Sequence, residues 1–298
     1  MDLVKNNAGG KAAWVTALVL ACLPADTAAA RPENAPRRVV SMNLCTDQLA
    51  LILADPDQIR SVSYVAHDAA ASVLWQRARR HAPNHGLAEE VFLMQPDLIL
   101  AGAFTRRATN DILRRLGFRV ETFYPAQSFD DIRRHIARLG ELLHQPARSR
   151  RVLARFDDEL RRATVSNRHA STPKAALYYA NNYTSGSGTL AADIVARAGL
   201  RNIGTALGLD GMVKLPLELL VIEAPDVIIA EQRDSSAAAL AYEAFSHPAL
   251  TIAAEKARAF VRTDNSWACG APFTVGAIER LKAAAGTAMP KAQGGTSQ

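Results

Sequence analysis

Glu89–Gly102 reads EEVFLMQPDLILAG, and 129 positions later Glu218–Glu231 reads ELLVIEAPDVIIAE. Aligned on Pro96 and Pro225, both segments run in one order: a glutamate, a short apolar-faced helix, a Pro-Asp turn and four apolar residues, Leu98–Ala101 or Val227–Ala230. A short apolar run bounded by turn residues predicts a strand buried on both faces, as in a parallel sheet. The spacing exceeds the period of a solenoid unit. It predicts two similar α/β lobes in one chain.

Working outward, the rest of the chain repeats the alternation. Arg38–Met42, Ile59–Val65 and Arg119–Phe123 read as strands. Between them, Asn43 or Thr46 caps a helix that stops at Asp55-Pro56, His67–Asn84 is polar and partly helical, and Ala108–Leu116 is a helix closed by Gly117. Ser128 caps a helix carrying Ile132, Ile136, Leu139 and Leu143 at helical spacing. This β-α-β-α order predicts a mostly parallel sheet covered on both faces. Pro146 then opens a long polar helix to Ala163, with a narrow apolar stripe of Val152, Leu153, Phe156 and Leu160. At ~1.5 Å per residue it spans ~25 Å, the width of a small domain, and it reads as a connector between lobes. One more surface helix of a single sheet is the alternative.

The second lobe begins after the loop Ser166–Pro173. Ala175–Tyr179 is a strand, Asn181–Gly188 a Gly/Ser loop, and Thr189–Ala198 a helix ended by Gly199. After the second cassette, Ala238–Phe245 is helical and His247-Pro248 ends it. Ala259–Val261 is a strand, Asp264–Phe273 a loop and Thr274–Ala285 the last helix. The division expected is a lobe over 37–145, a connecting helix over 146–168, a lobe over 174–285 and a disordered tail over 286–298.

Apolar residues make up 49% and charged residues 21% of the 298, a globular composition with room for two domains. The first 30 residues differ. Lys5 and Lys11 precede an apolar run, Ala12–Leu23, too short for a bilayer span, and Ala28-Ala29-Ala30 offers a cleavage site. A secretory signal peptide over 1–30 is expected. Val19-Leu20-Ala21-Cys22 also fits lipidation at Cys22. A net charge of +6 is scattered over small arginine groups without interleaved aromatics, which argues against nucleic-acid binding. Beyond the signal segment stand Cys45 and Cys269. They can pair in an oxidising compartment, remain free thiols or face a ligand, and a bond between lobes sits awkwardly with lobes that must open.

In this order, RVVSMN, EEVFLMQPDLILAG, the helix after Pro146, TSGSGTL, LPLELLVIEAPDVIIA and SHPAL resemble the periplasmic substrate-binding proteins of cobalamin and ferric-siderophore ABC importers. The resemblance covers residues 37–285. It implies two Rossmann-like lobes bridged by one long α-helix, with a ligand cleft between them. It implies an exported, monomeric protein in the periplasm that hands a cobalt or iron chelate to a permease dimer in the inner membrane, with no resident cofactor. Acidic residues at the positions of Glu89 and Glu218 meet permease arginines in the family, although a glutamate in a first helical turn also suits the helix dipole.

Ligand contacts are expected from loops at the strand ends that face the cleft: Asn43, Leu44, Tyr64, His67, Phe104 and Arg106 from the first lobe, and Tyr179, Asn182, Tyr183 and Trp267 from the second. Aromatic rings suit a wide flat chelate, and Arg106 with Arg107 suits an anionic one. The Pro-Asp pairs read as turn chemistry. Haem is an alternative ligand. A bare zinc or manganese site is disfavoured, because Pro83 interrupts any helix that would align His81 with His85. A secreted α/β hydrolase is the alternative of another class, but no G-x-S-x-G elbow or Ser/His/Asp set stands at the strand ends.

Overall fold

The computed structural model describes residues 34–104, 107–165, 172–231 and 247–288, all within the unit Glu33–Gln298. The expected signal segment, the helix expected at Ala238–Phe245, and Arg106 lie outside the described residues.

The first lobe runs β1 (Val39–Ser41), α1 (Leu44–Leu53), β2 (Ile59–Ser63), α2 (Trp75–Ala78), β3 (Ala82–Asn84), α3 (Ala88–Leu93), β4 (Leu98–Gly102), α4 (Arg107–Arg115), β5 (Val120–Phe123) and α5 (Phe129–Leu142). Its five strands are all parallel, in the order β3-β2-β1-β4-β5. The helix α6 (Pro146–Ala163) follows. The second lobe runs β6 (Lys174–Tyr178), β7 (Tyr183–Ser185), α7 (Leu190–Arg197), β8 (Arg201–Asn202), α8 (Ile203–Ala206), β9 (Met212–Lys214), α9 (Leu217–Glu223), β10 (Val227–Ala230), α10 (Pro248–Lys256), β11 (Ala259–Arg262) and α11 (Val275–Ala288). Its parallel sheet is ordered β11-β10-β6-β8, so β6, β10 and β11 repeat the placing of β1, β4 and β5.

Alternation along the strands divides the core into three parts. Val39, Leu98 and Leu100 of the first lobe, with Ala175, Leu177, Val227 and Ile229 of the second, join one cluster that crosses between the lobes. Residues of α1, α5, α6, α7 and α11 complete it. Val40, Ile99 and Ala101 face the other way, onto Val91 of α3 and Leu113 of α4. Ala176, Tyr178 and Ile228 face onto α8, α9 and α10.

The helix α6 is fastened at both ends. Pro146 sits at its first turn, where a missing N–H costs nothing. There Arg148 pairs with Asp55 at 2.6 Å and donates to Leu53 O at 3.0 Å. At the far end Lys282 of α11 donates to Ala163 O at 2.9 Å, satisfying a terminal carbonyl. Phe156 stacks on Phe129 of α5 between these ends.

Three features differ from or add to the expectations. His247-Pro248, expected to end a helix that lies outside the described residues, begins α10, with Pro248 in the first turn and His247 Nδ1 accepting from Ala249 N at 3.1 Å. The Gly/Ser loop after β6 contains β7, which pairs antiparallel with β9, itself not expected from the sequence. The last helix continues to Ala288, three residues into the expected tail.

Candidate functional site

The repeat performs the same local task in both lobes. Gln95 and Ala224 take left-handed backbone conformations (φ 49° and 43°) that end α3 and α9. Asp97 Oδ2 then accepts from Arg37 N at 2.8 Å, and Asp226 Oδ2 from Lys174 N at 2.9 Å. In return Asp97 N donates to Arg38 O and Asp226 N to Lys174 O. Each aspartate thus brackets the entry of the neighbouring parallel strand, which is more than the turn chemistry expected of it. Both helices end where their strands start, so they begin towards the opposite edge, where the strands finish. Glu89 and Glu218 stand there in the first turns, exposed, and neither makes an ion pair with another described residue.

At that edge the first sheet reverses its order of growth between β1 and β4. The chains leaving the two strands diverge and leave a crevice. Asn43 follows β1, Phe104 follows β4, and Tyr124 follows β5; all three line one cavity of about 160 Å³. The second lobe supplies Leu190 of α7 and, from the loop after β11, Trp267, Ala268 and Gly270. Phe104 and Tyr124 are mostly exposed at the mouth and meet edge to face at 5.9 Å. The Arg107 guanidinium lies 5.5 Å from the Phe104 ring centroid, a cation–π distance.

His135 of α5 also lines the cavity, edge-on to Phe123 at 5.5 Å. Burial lowers its pKa; Asp131 opposes this, and Arg138 and Arg134 add to it. The imidazole is therefore neutral at pH 7 and keeps a lone pair for a hydrogen bond or a metal held inside a chelate. The arrangement is an apolar cleft with aromatic lips, one neutral nitrogen donor and one cation at the rim.

The loop carrying Trp267 is pinned to the first lobe. Cys45, at the start of α1, is disulfide-bonded to Cys269, their Cα atoms 5.1 Å apart and their positions 224 residues apart in sequence. Asn265 Nδ2 donates to Ala69 O at 3.1 Å. Gly270 packs so closely that a Cβ there would meet Ala126 and lie 2.9 Å from Ile132 Cγ1. Of the alternatives left open by the sequence, the bonded pair is therefore the one present, and Cys45 lines the cavity. The objection that it ties the lobes together loses force, because the lobes already share one hydrophobic cluster.

Of the ten residues expected to contact ligand, Asn43, Phe104 and Trp267 line this cavity. Asn43 is also the N-cap of α1, accepting from Cys45 N at 3.0 Å. Leu44 packs against the shared core. Tyr64 stacks on His85 at 5.1 Å instead, and His85 is held by Glu90. His67 is half-buried, and burial lowers its pKa, with Arg79 adding to the effect.

Three of the four second-lobe residues, Tyr179, Asn182 and Tyr183, lie away from this cavity for one reason. The β7–β9 ribbon folds the segment after β6 back onto its own lobe. Tyr179 N bonds to Tyr183 O at 2.8 Å, and the Tyr179 hydroxyl stands 3.4 Å from Ser185 Oγ, its pKa pushed up to about 12 by burial. Asn182 O accepts from Leu215 N, and Tyr183 lies opposite Lys214 in the ribbon. None of the three lines the cavity. Sequence reasoning missed Tyr124 and His135. Tyr124 follows a recognised strand end directly; His135 gives no local signal, being one polar position on an amphipathic helix.

His81 and His85 flank β3 rather than sharing a helix. Among the described residues no group of three or more His, Cys, Asp or Glu is placed to hold a metal ion. None of the described helices is long and apolar enough to cross a membrane.

The fold has close parallels. It superimposes on a periplasmic haem-binding protein of Roseiflexus sp. RS-1 with a TM-score of 0.70 at 19% identity, covering 85% of this chain and 99% of the other. A periplasmic vitamin B12-binding protein of Vibrio cholerae gives 0.63 at 17% identity, covering 86% and 99%. In sequence, a cobalamin-binding protein of Halobacterium salinarum is 26% identical over 215 residues, 70% of this chain. The match spans 58% of that relative's length. A family model described as periplasmic binding protein matches residues 39–266, and by that match, which takes in both lobes and α6, the chain belongs to the periplasmic binding protein family.

Proposed function

We propose that this chain captures a metal chelate of the cobalamin class in the cleft between its lobes and delivers it to the permease of an ABC importer. The observation that carries this reading is the cleft itself: Phe104, Tyr124 and Trp267 from loops of both lobes surround a cavity that also holds a neutral His135. Aromatic walls supply wide apolar contact with a flat macrocycle at little cost in side-chain entropy. The imidazole can hydrogen-bond or ligate the chelated metal. The enclosed volume of about 160 Å³ takes one edge of such a ligand, and the exposed Phe104 and Tyr124 rings extend the surface beyond it. The cobalamin-binding relative supports this class. Ferric siderophores present a chelate to the same surfaces.

Haem is the second reading, favoured by one observation. Arg107 over Phe104 places a cation at the rim, where a macrocycle's carboxylates would emerge. The same proposal places the protein in the periplasm, exported by the segment 1–30 or tethered through Cys22, monomeric and without turnover of its cargo. Glu89 and Glu218 are its docking residues, one per lobe.

Titration of tryptophan fluorescence with cobalamin, haem and a panel of ferric siderophores tests the reading. Saturable one-to-one quenching by one chelate is expected, and Trp267→Phe should abolish most of the signal. Failure of every chelate, with tight binding of free zinc, would overturn it.

A further inference from the structure

Position for position, α3 and α9 correspond at the offset of 129. Val91 and Leu220 are the fully buried anchors that hold each helix on its sheet. With the anchors inward, the outward faces match too. Leu93 and Ile222, again 129 apart, are 78% and 73% exposed, the two highest values among the exposed large hydrophobic side chains of the described residues. Each follows its glutamate by four residues, so glutamate and aliphatic side chain share one helix face, one turn apart. The positions between them diverge between the copies: Glu90 against Leu219, Phe92 against Val221.

A single exposed leucine needs no explanation. Here the most exposed pair falls on one position of an internal repeat, each member beside an acid with no ion-pair partner among the described residues. An exposed ion pair alone contributes little to association, because water and salt screen it. A neighbouring aliphatic side chain that is buried on docking adds apolar contact and excludes water from the charge.

We propose that Leu93 and Ile222 are the apolar half of a two-part docking contact, entering sockets beside basic side chains on the two permease subunits. The inference rests on the reading of Glu89 and Glu218 as docking residues. It adds the chemistry of the partner surface: a basic group adjoining an apolar hollow, presented twice. Charge selects this occupant. Two-fold packing of the patch on a second copy would bring acid towards acid, and an anionic lipid surface would repel both glutamates.

The test is binding of the full chain to the permease–ATPase complex of the source organism in lipid nanodiscs, at low and high salt. Empty nanodiscs and sedimentation of the chain alone serve as controls. L93Q/I222Q should weaken docking by about tenfold for each site, keep the wild-type salt slope and leave chelate affinity unchanged. E89Q/E218Q should weaken docking and flatten the salt slope. If L93Q/I222Q docks as wild type does while E89Q/E218Q fails, the inference is wrong and the docking reading stands. If E89Q/E218Q docks normally, the docking reading itself falls. Binding of the wild type to empty nanodiscs, or self-association abolished by L93Q/I222Q, would assign the patch to lipid or to a second copy and overturn the proposal.

Discussion

Asp47 shows what burial does to one ionisable side chain. It is fully buried in α1, accepts hydrogen bonds from the Ser63 backbone and hydroxyl, and has its pKa raised to about 7 by desolvation, against the opposing pull of those bonds and of Ser41. The folded state therefore keeps a proton that the unfolded chain releases near pH 4. The stabilisation is fully present below that point and is lost as pH rises to about 7. His67, His81 and His135, whose pKa values burial lowers, act with the opposite sign. The difference between wild type and Asp47→Asn isolates the carboxyl. Denaturant unfolding of Asp47→Asn across about pH 4 to pH 8 should lack a decline of a few kcal/mol that the wild type shows. Nothing in the sequence marks Asp47 as buried; it reads as an ordinary first-turn acid, and only its packing beside Ser63 changes that.

At the scale of the element, the repeated cassette carries scaffold and surface chemistry on different residues. Asp97 and Asp226 fasten strand entries, while Glu89 and Glu218 remain outside on the helices. Asp97→Ala leaves two backbone N–H groups, of Arg37 and Arg38, without their acceptor. Charge-assisted bonds of this kind make a loss of about 1–3 kcal/mol the expected result, measured by chemical denaturation. Asp226→Ala should cost a similar amount, since it loses the bond from Lys174 N and the 3.3 Å pair with Arg258. Both variants should retain chelate binding, because neither aspartate lines the cleft. The cassette's elements were legible because its signals are local: an apolar run, a proline, an acid at a fixed distance. The start of α10 was not read from an equally local signal, because a proline serves both to stop a helix and to open one.

For the whole molecule, the balance between opening and rigidity is set by contacts distant in sequence. The shared core, the double fastening of α6 and the Cys45–Cys269 bond all oppose a wide hinge motion. Reduction, or Cys45→Ser with Cys269→Ser, should lower stability by about 2–5 kcal/mol, since the bond closes a long loop of the unfolded chain. It should also weaken chelate binding, by freeing the Trp267 loop from α1. Thermal unfolding with and without reductant, paired with the fluorescence titration, reads both effects. Unchanged affinity after reduction would mean that Gly270 and Asn265 hold the loop without the bond.

The sequence by itself determined the repeated cassette, most of the parallel strands and longer helices around it and the matched acids, because periodicity, capping residues and prolines act over a few positions; the short elements β3, β7, β8, β9 and α8 were not legible in it. It did not determine the wall of the cleft. Tyr179, Asn182 and Tyr183 were equally plausible wall residues until the β7–β9 ribbon drew them onto their own lobe. Trp267 shares a cavity with Phe104 and Asn43 only because the loop after the last strand is bonded to the first helix through Cys269 and Cys45, 224 positions apart. Contacts of that range depend on how finished elements pack, and only the tertiary structure decides them.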